Sequence, residues 1–276
     1  IDGTLENVEV SSANISTKNS SGSTGGLVGS NYGHIIRSST TGTINKDIGQ
    51  NGNIGGLVGY NYDGTIDNSF STMDIFEGGT AKWNDCGGLV GTMNSGSINH
   101  SYATGRMYCT TTIYSKAGSV AATSFVNTIS NTFGTGLVYN TGGVSKGGFV
   151  GSMMGLGNFP NSYFDMGRTQ IGICAPSPYQ QACNGVNLFN LDSLYFFNNS
   201  TNAPYNTWDF VNVWHTTNTY PLLNLVNTTP DSPTNLLGVT ALTTADLSWT
   251  APTYNGGSPI TDYEVQYKKS TDNSWS

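Results

Sequence analysis

Charge is unusually scarce in this sequence. Asp, Glu, Lys and Arg make up 10% of its 276 residues, against roughly 25% in an ordinary globular protein. Ten Lys and Arg against seventeen Asp and Glu leave a net charge of −7. No basic cluster offsets it, which argues against a nucleic-acid partner. No apolar run is long enough for a transmembrane helix, and no signal peptide is visible. The opening IDGTLENV has neither Met nor a charged leader and reads as a processed or cropped end. Histidine is confined to His34, His100 and His215, none at metal-ligand spacing with Cys, Asp or Glu. HExxH and P-loop patterns are absent, and each His reads as a surface or corner residue. Catalytic and cofactor-binding residues therefore do not emerge.

Cysteine is scarce too. The four are Cys86, Cys109, Cys174 and Cys183, with no CxxC pair and no nearby His, so a zinc site is not indicated. An even count in a weakly charged chain fits an oxidising compartment. Cys174 and Cys183 flank the loop APSPYQQA and would close it; Cys86 and Cys109 would meet between neighbouring repeats. The alternative is four reduced thiols.

Glycine is abundant, at 36 residues, and Asn, Ser and Thr dominate the polar positions. A surface solvated by amides and hydroxyls suits an extracellular chain. The string GGLVG occurs at 25–29, 55–59 and 87–91, with GGFVG at 147–151 and a degenerate AGSVA at 117–121, giving intervals of 30, 32, 30 and 30 residues. A second strip follows each copy: HIIRSST at 34–40, GTIDNSF at 64–70, GSINHSY at 96–102, NTISNTF at 127–133 and GNFPNSY at 157–163. The opening GTLENVEV matches the second strip alone.

Two apolar columns result. One holds Val28, Val58, Val90, Val120 and Val150; the other Ile36, Ile66, Ile98, Ile129 and Phe159, with Leu5 as the half-repeat's member. Short β-branched segments bounded by Gly, Asn and Ser are strand-and-turn grammar. One unit cannot bury its apolar side alone, but stacked units can. The expected fold is all-β: a right-handed-type β-solenoid of about five to six coils, each ~30 residues. The glycines supply its corners. The insertion FEGGTAKWND at 76–85 and the segment YCTTTIYSK at 108–116 are expected to bulge from the rod. Phe70, Tyr102, Phe133 and Tyr163 form an aromatic column, read as core or corner packing, with a sugar platform as the alternative.

These repeats, GGLVGYNYDGTIDNSF and GGLVGTMNSGSINHSYATG above all, resemble the GLUG-motif repeat of bacterial and archaeal surface proteins. The resemblance covers residues 1–226 and implies a β-solenoid of an adhesin-like chain; it carries no catalytic residue. WDFVNVWHTTNTYPLL at 208–223 looks like a closing segment. A cap spanning about 165–226 would hide the last open edge, with a short helix around NLDSLYFF starting near Asn190 or Asp192. A linker follows at 227–235. Residues 236–276 resemble the N-terminal half of a fibronectin type III domain, with ADLSWTAP as a strand bearing core Trp249 and ITDYEVQYKK as another bearing Tyr263 and Tyr267. That partial immunoglobulin-like sandwich implies continuation beyond Ser276.

Asp63, Asp67 and Asp74 fall in one copy, with Ser95, Asn99 and Arg106 as column mates. They are a calcium or acid–base candidate set against the ordinary reading of a solvated face. Sequons stand at Asn14, Asn19, Asn99, Asn198, Asn199 and Asn227, relevant if the source glycosylates secreted chains. The expectation is a non-enzymatic cell-surface protein, used in adhesion or as the building block of a fibre or layer. Its partners would be surface proteins, glycans or copies of itself. The alternatives are a polysaccharide-active β-helix enzyme with an accessory module and a homopolymeric filament subunit.

Overall fold

The computed structural model describes residues 1–276 except 19–20, 48–50, 79–82, 111–113, 126, 141–144, 156, 172–173, 176–194, 225–231, 241–243, 253–259, 261, 269–270 and 272–276. The chain divides into two compact units, Ile1–Leu225 and Val226–Ser276.

The first unit is a β-solenoid of about five turns. Each coil visits four faces. The first face stacks Gly22–Gly25, Gly52–Gly55, Asn84–Gly87, Lys116–Gly118 and Lys146–Gly147 in parallel. The second stacks Val28–Asn31, Val58–Asn61, Val90–Met93, Ala121–Ser124 and Val150–Met153. The third holds Thr4–Glu6, His34–Ile36, Thr65–Asp67, Ser97–Asn99 and Thr128–Ser130. The fourth is a parallel sheet of nine strands among the described residues, including Ser39–Asp47, Phe70–Ser71, Asp74–Glu77, Tyr102–Ala103 and Met107–Cys109.

Register corrects two columns. Val28, Val58, Val90, Ala121 and Val150 pair in line, so Val120 does not belong to the valine column. It stacks instead in the leucine column, where backbone bonds run Leu27, Leu57, Leu89, Val120, Phe149 and on to the Cys174 carbonyl. The degenerate copy therefore starts at Gly118, which pairs with Gly87 and Gly147, not at Ala117. Leu5, Ile35, Ile66, Ile98 and Ile129 form the other column. Ile35 is fully buried, whereas Ile36 pairs with Asp67 on the outward-facing register. Alternation along a strand lets only one of two adjacent isoleucines face inward. Phe159 joins its column in the core.

The corner glycines pinch each coil into two lobes. A β-carbon at Gly26, Gly56, Gly88 or Gly148 would run into the neighbouring backbone or the side chain of Thr40, Ser71, Ala103 or Phe164, respectively. Those four partners are one register column, with Gly134 as the fifth member. In the degenerate copy the roles swap: Ser119 occupies the glycine position and Gly134 faces it. One lobe packs Ile35, Leu57, Ile66, Leu89, Val90 and their stacked equivalents. The other packs Ile44, Ile54, Ile75, Cys86, Met107 and Cys109.

The turn between the third and fourth faces has a three-residue grammar. Its first member adopts positive φ in six successive copies: Asn7, Arg37, Asn68, His100, Asn131 and Asn161, at 43° to 56°. Asn tolerates that conformation best after Gly. Next comes a buried hydroxyl: Ser38, Ser69, Ser101, Thr132, Ser162. Each amide from Ser38 to Thr132 donates to the hydroxyl one coil on, at 3.1–3.3 Å. The first four hydroxyls also donate to the carbonyl two residues back at 2.8–2.9 Å, which satisfies a buried polar column.

The third member is the aromatic column. Phe70, Tyr102, Phe133 and Tyr163 stack at 4.7–5.2 Å between ring centres. The rings are covered, not displayed. Phe196 stacks on Tyr163 at 4.3 Å, and Trp208, Trp214 and Tyr220 lie against Phe133. Residues 195–224 thus pack along the flank of the fourth face. Of the helix expected at 190–197, residues 190–194, with Asn190 and Asp192, lie outside the described residues, and residues 195–197 are not α-helical.

In the second unit, Thr234–Thr240 and Ala245–Thr250 pair antiparallel, and the Trp249 ring meets Tyr263 edge-on at 5.1 Å. The segment expected as a third strand, 260–269, is not a strand among its described residues. No helix among the described residues is long and apolar enough to cross a membrane.

Candidate functional site

The repeat columns are consumed by packing, so chemistry must come from what departs from them. The two departures adjoin. The insertion leaves the fourth face after Glu77 and rejoins the first face at Asn84; one coil on, the excursion runs from Cys109 to Lys116. Their bases are pinned from inside. Cys86 and Cys109 form a disulfide, and counted from Asn84 to Cys109 both belong to one coil. The buried Glu77 carboxylate accepts from Asn84 Nδ2 at 2.6 Å and from the Thr110 amide at 3.1 Å. Lys46, paired in register with Glu77, is buried too; burial lowers its pKa, and the nearby Glu77 charge opposes that.

Outside this anchor the first face presents a polar ribbon. Ser23, Asn53, Asp85 and Lys116 pair in line across four coils. Asp85 Oδ2 accepts from Thr92 Oγ1 at 2.9 Å and from Thr123 Oγ1, and lies 3.7 Å from Lys116 Nζ. Thr92 Oγ1 also lies 2.8 Å from Asn53 Oδ1. Trp83 and Tyr114 rise beside this ribbon, 55% and 58% exposed, with ring centres 5.7 Å apart and planes at 70°. Together with Asn51 and Met154 they line a groove of about 570 Å³.

Burial pushes the Asp85 carboxyl above the usual carboxylate range; Lys116 and the two threonine hydroxyls pull the other way. A carboxyl raised on folding adds stability that is full below its unfolded pKa and is lost as pH rises through the folded value. Asp85→Asn keeps the threonine bonds and removes the buried charge. It is expected to flatten the fall in melting temperature as pH rises above the ordinary carboxylate range and to leave stability at pH 7 no lower than the parent's. Melting curves from that range up to pH 7 check it; a loss of stability at pH 7 would contradict it.

The remaining candidates scatter. Asp63 meets Ser95, Asp67 meets Asn99 and lies 3.6 Å from His100, and Asp74 holds Arg106 at 2.6 Å. These are the column mates expected from sequence, and the three carboxylates point to separate partners. Among the described residues no group of three or more His, Cys, Asp or Glu side chains could hold a metal ion. His34 and His215 are exposed, bonded to Thr65 and Asn224. Cys174 is disulfide-bonded; Cys183, its expected partner, lies outside the described residues. Asn14 and Asn198 are exposed. Asn99 is half-buried and bridges Asp67 to Ser130 and Asn131; Asn199 caps a turn at Thr201 and Asn202. Asn19 and Asn227 lie outside the described residues. Sequence reasoning missed Trp83, Tyr114 and Asp85 as a group. Their signal was present, since each lies within a stretch that breaks the repeat.

The fold and its unconsumed surface define a β-solenoid repeat protein. The family model described as the GLUG motif matches residues 50–75, a segment that spans one coil from the first face to the fourth. No curated protein matches the chain.

Proposed function

We propose that this chain is a non-enzymatic surface protein whose solenoid is a stiff spacer for adhesion or for building a fibre or layer outside the cell. One observation carries the reading. The glycine, hydroxyl and aromatic columns of the repeat are spent on stacking coil on coil, while Trp83 and Tyr114, each more than half exposed, stand where coils depart from the repeat. Residues 165–226 act as its cap, a reading supported by the packing of Phe196, Trp208, Trp214 and Tyr220 on the aromatic ladder of the last coils. Residues 236–276 are the first half of a fibronectin type III module, a reading supported by the antiparallel pair and the Trp249–Tyr263 contact.

The test is binding of the whole chain to immobilised glycans and cell-surface proteins, beside a polysaccharide-degradation panel and particle imaging. Binding without release of reducing ends is expected. Sugar release lost on Asp63→Asn or Asp67→Asn would replace this reading with a polysaccharide-active enzyme. Filaments of the isolated chain would make it a homopolymer subunit.

A further inference from the structure

We propose that the groove beside Trp83 and Tyr114 binds a neutral saccharide, with the rings as stacking faces and Asn53, Asp85 and Lys116 as hydrogen-bonding groups. This deepens the surface-adhesion reading and rests on it.

Several exposed ring clusters compete for such a role, and groove size favours one: about 570 Å³ beside Trp83 and Tyr114 against about 380 Å³ beside Phe76 and Tyr108. Phe76 and Tyr108 stack at 4° and 5.2 Å, with Tyr139 tilted against Tyr108 at 52°; Tyr32 and Tyr62 stack at 8° and 4.3 Å, with Tyr60 tilted against Tyr62 at 37°. Rings stacked face to face cover each other's faces and leave mainly edges to solvent. Trp83 and Tyr114 meet edge to face and are each more than half exposed, so they present ring surface to solvent. That is the surface on which the C–H face of a sugar ring packs. Packing does not account for these rings, because more than half of each is exposed. Nor are they needed to fix the two departures, which the disulfide and Glu77 already anchor.

The polar side of the groove sets the ligand's charge. Asp85 and Lys116 offset one another at 3.7 Å, so the site offers no net charge to an ion. That argues against a quaternary ammonium, which two rings and a free carboxylate would suit. Amide, hydroxyl and paired-charge groups beside an apolar face instead match a polyol. A groove of about 570 Å³ falls within the ~300–1,000 Å³ typical of small-ligand sites. The ribbon runs along the rod through four coils, so a linear oligosaccharide would lie parallel to its axis.

The experiment titrates the whole chain with cellohexaose, xylohexaose, mannohexaose and chitohexaose by calorimetry, with choline as the charged control. At least one hexasaccharide is expected to bind and choline is not. Trp83→Ala and Tyr114→Ala should each weaken binding at least tenfold, Asn53→Ala severalfold, and Phe76→Ala not at all. Melting temperatures of the exposed-ring variants should match the parent. The proposal is overturned if none of the four sugars binds, if choline binds in their place, or if Trp83→Ala and Tyr114→Ala bind like the parent. In that last case, sugar binding that persists through another face leaves the adhesion reading standing and removes only this groove.

Discussion

Gly88→Val is expected to unfold the solenoid around its central coil, at a cost of about 3 kcal/mol or more. The side chain would enter the waist where the two lobes meet. Its β-carbon alone would overlap the Ser119 carbonyl and stand 3.0 Å from the Ala103 β-carbon. Backbone is on one side and a fully buried residue on the other, so neither neighbour can give way. Loss of the main thermal transition, or proteolysis in the central coils, is the readout; a folded variant with parental melting behaviour would contradict the waist.

The degenerate copy offers the reverse experiment. Gly134→Ala should destabilise strongly, because its β-carbon would overlap Ser119 Oγ. Ser119→Gly removes the hydroxyl overlap and recreates the arrangement of Gly88 facing Ala103, leaving a contact of 2.9 Å to Val120 Cγ2, the tip of a side chain. The double variant is therefore expected to recover most of the loss, with a coupling energy of at least about 1 kcal/mol. Purely additive effects would show that the two positions do not face one another.

The second large effect is the disulfide. Cys86 and Cys109 are 23 residues apart and fully buried in the second lobe. Their bond closes nearly one whole coil. Closing a loop of that length constrains the unfolded chain by about 3 kcal/mol. Cys86→Ala with Cys109→Ala should lose about that much, and reduction of the parent should reproduce it. In a solenoid each coil contacts mainly its neighbours. Faster amide exchange should therefore concentrate in residues 84–118, sparing the coil at 22–47. Equal loosening along the whole rod would contradict a local clamp.

The sequence carried the period, the strand grammar and the corner glycines, because stacked coils place like residues on like residues and leave that mark in the letters. Ile66, Ile98, Ile129 and Phe159 were legible for this reason. The misplacements have definite causes. The fourth copy lacks the Gly and Leu that fix alignment by letter, so Val120 was set one position out; only backbone pairing puts Ala121 under Val90. Two adjacent isoleucines are equivalent to a reader of letters, and strand alternation buried Ile35.

The aromatic column was legible as a packed column, but what covers it was not, because its covering residues lie thirty to more than a hundred positions further on. The groove was least legible. Trp83 and Tyr114 are solitary residues in two irregular stretches, and only the climb of one coil sets them 5.7 Å apart. Repetition is local information and survives in the sequence by itself. Which irregularities meet is a matter of pitch and register, and the tertiary structure alone decides it.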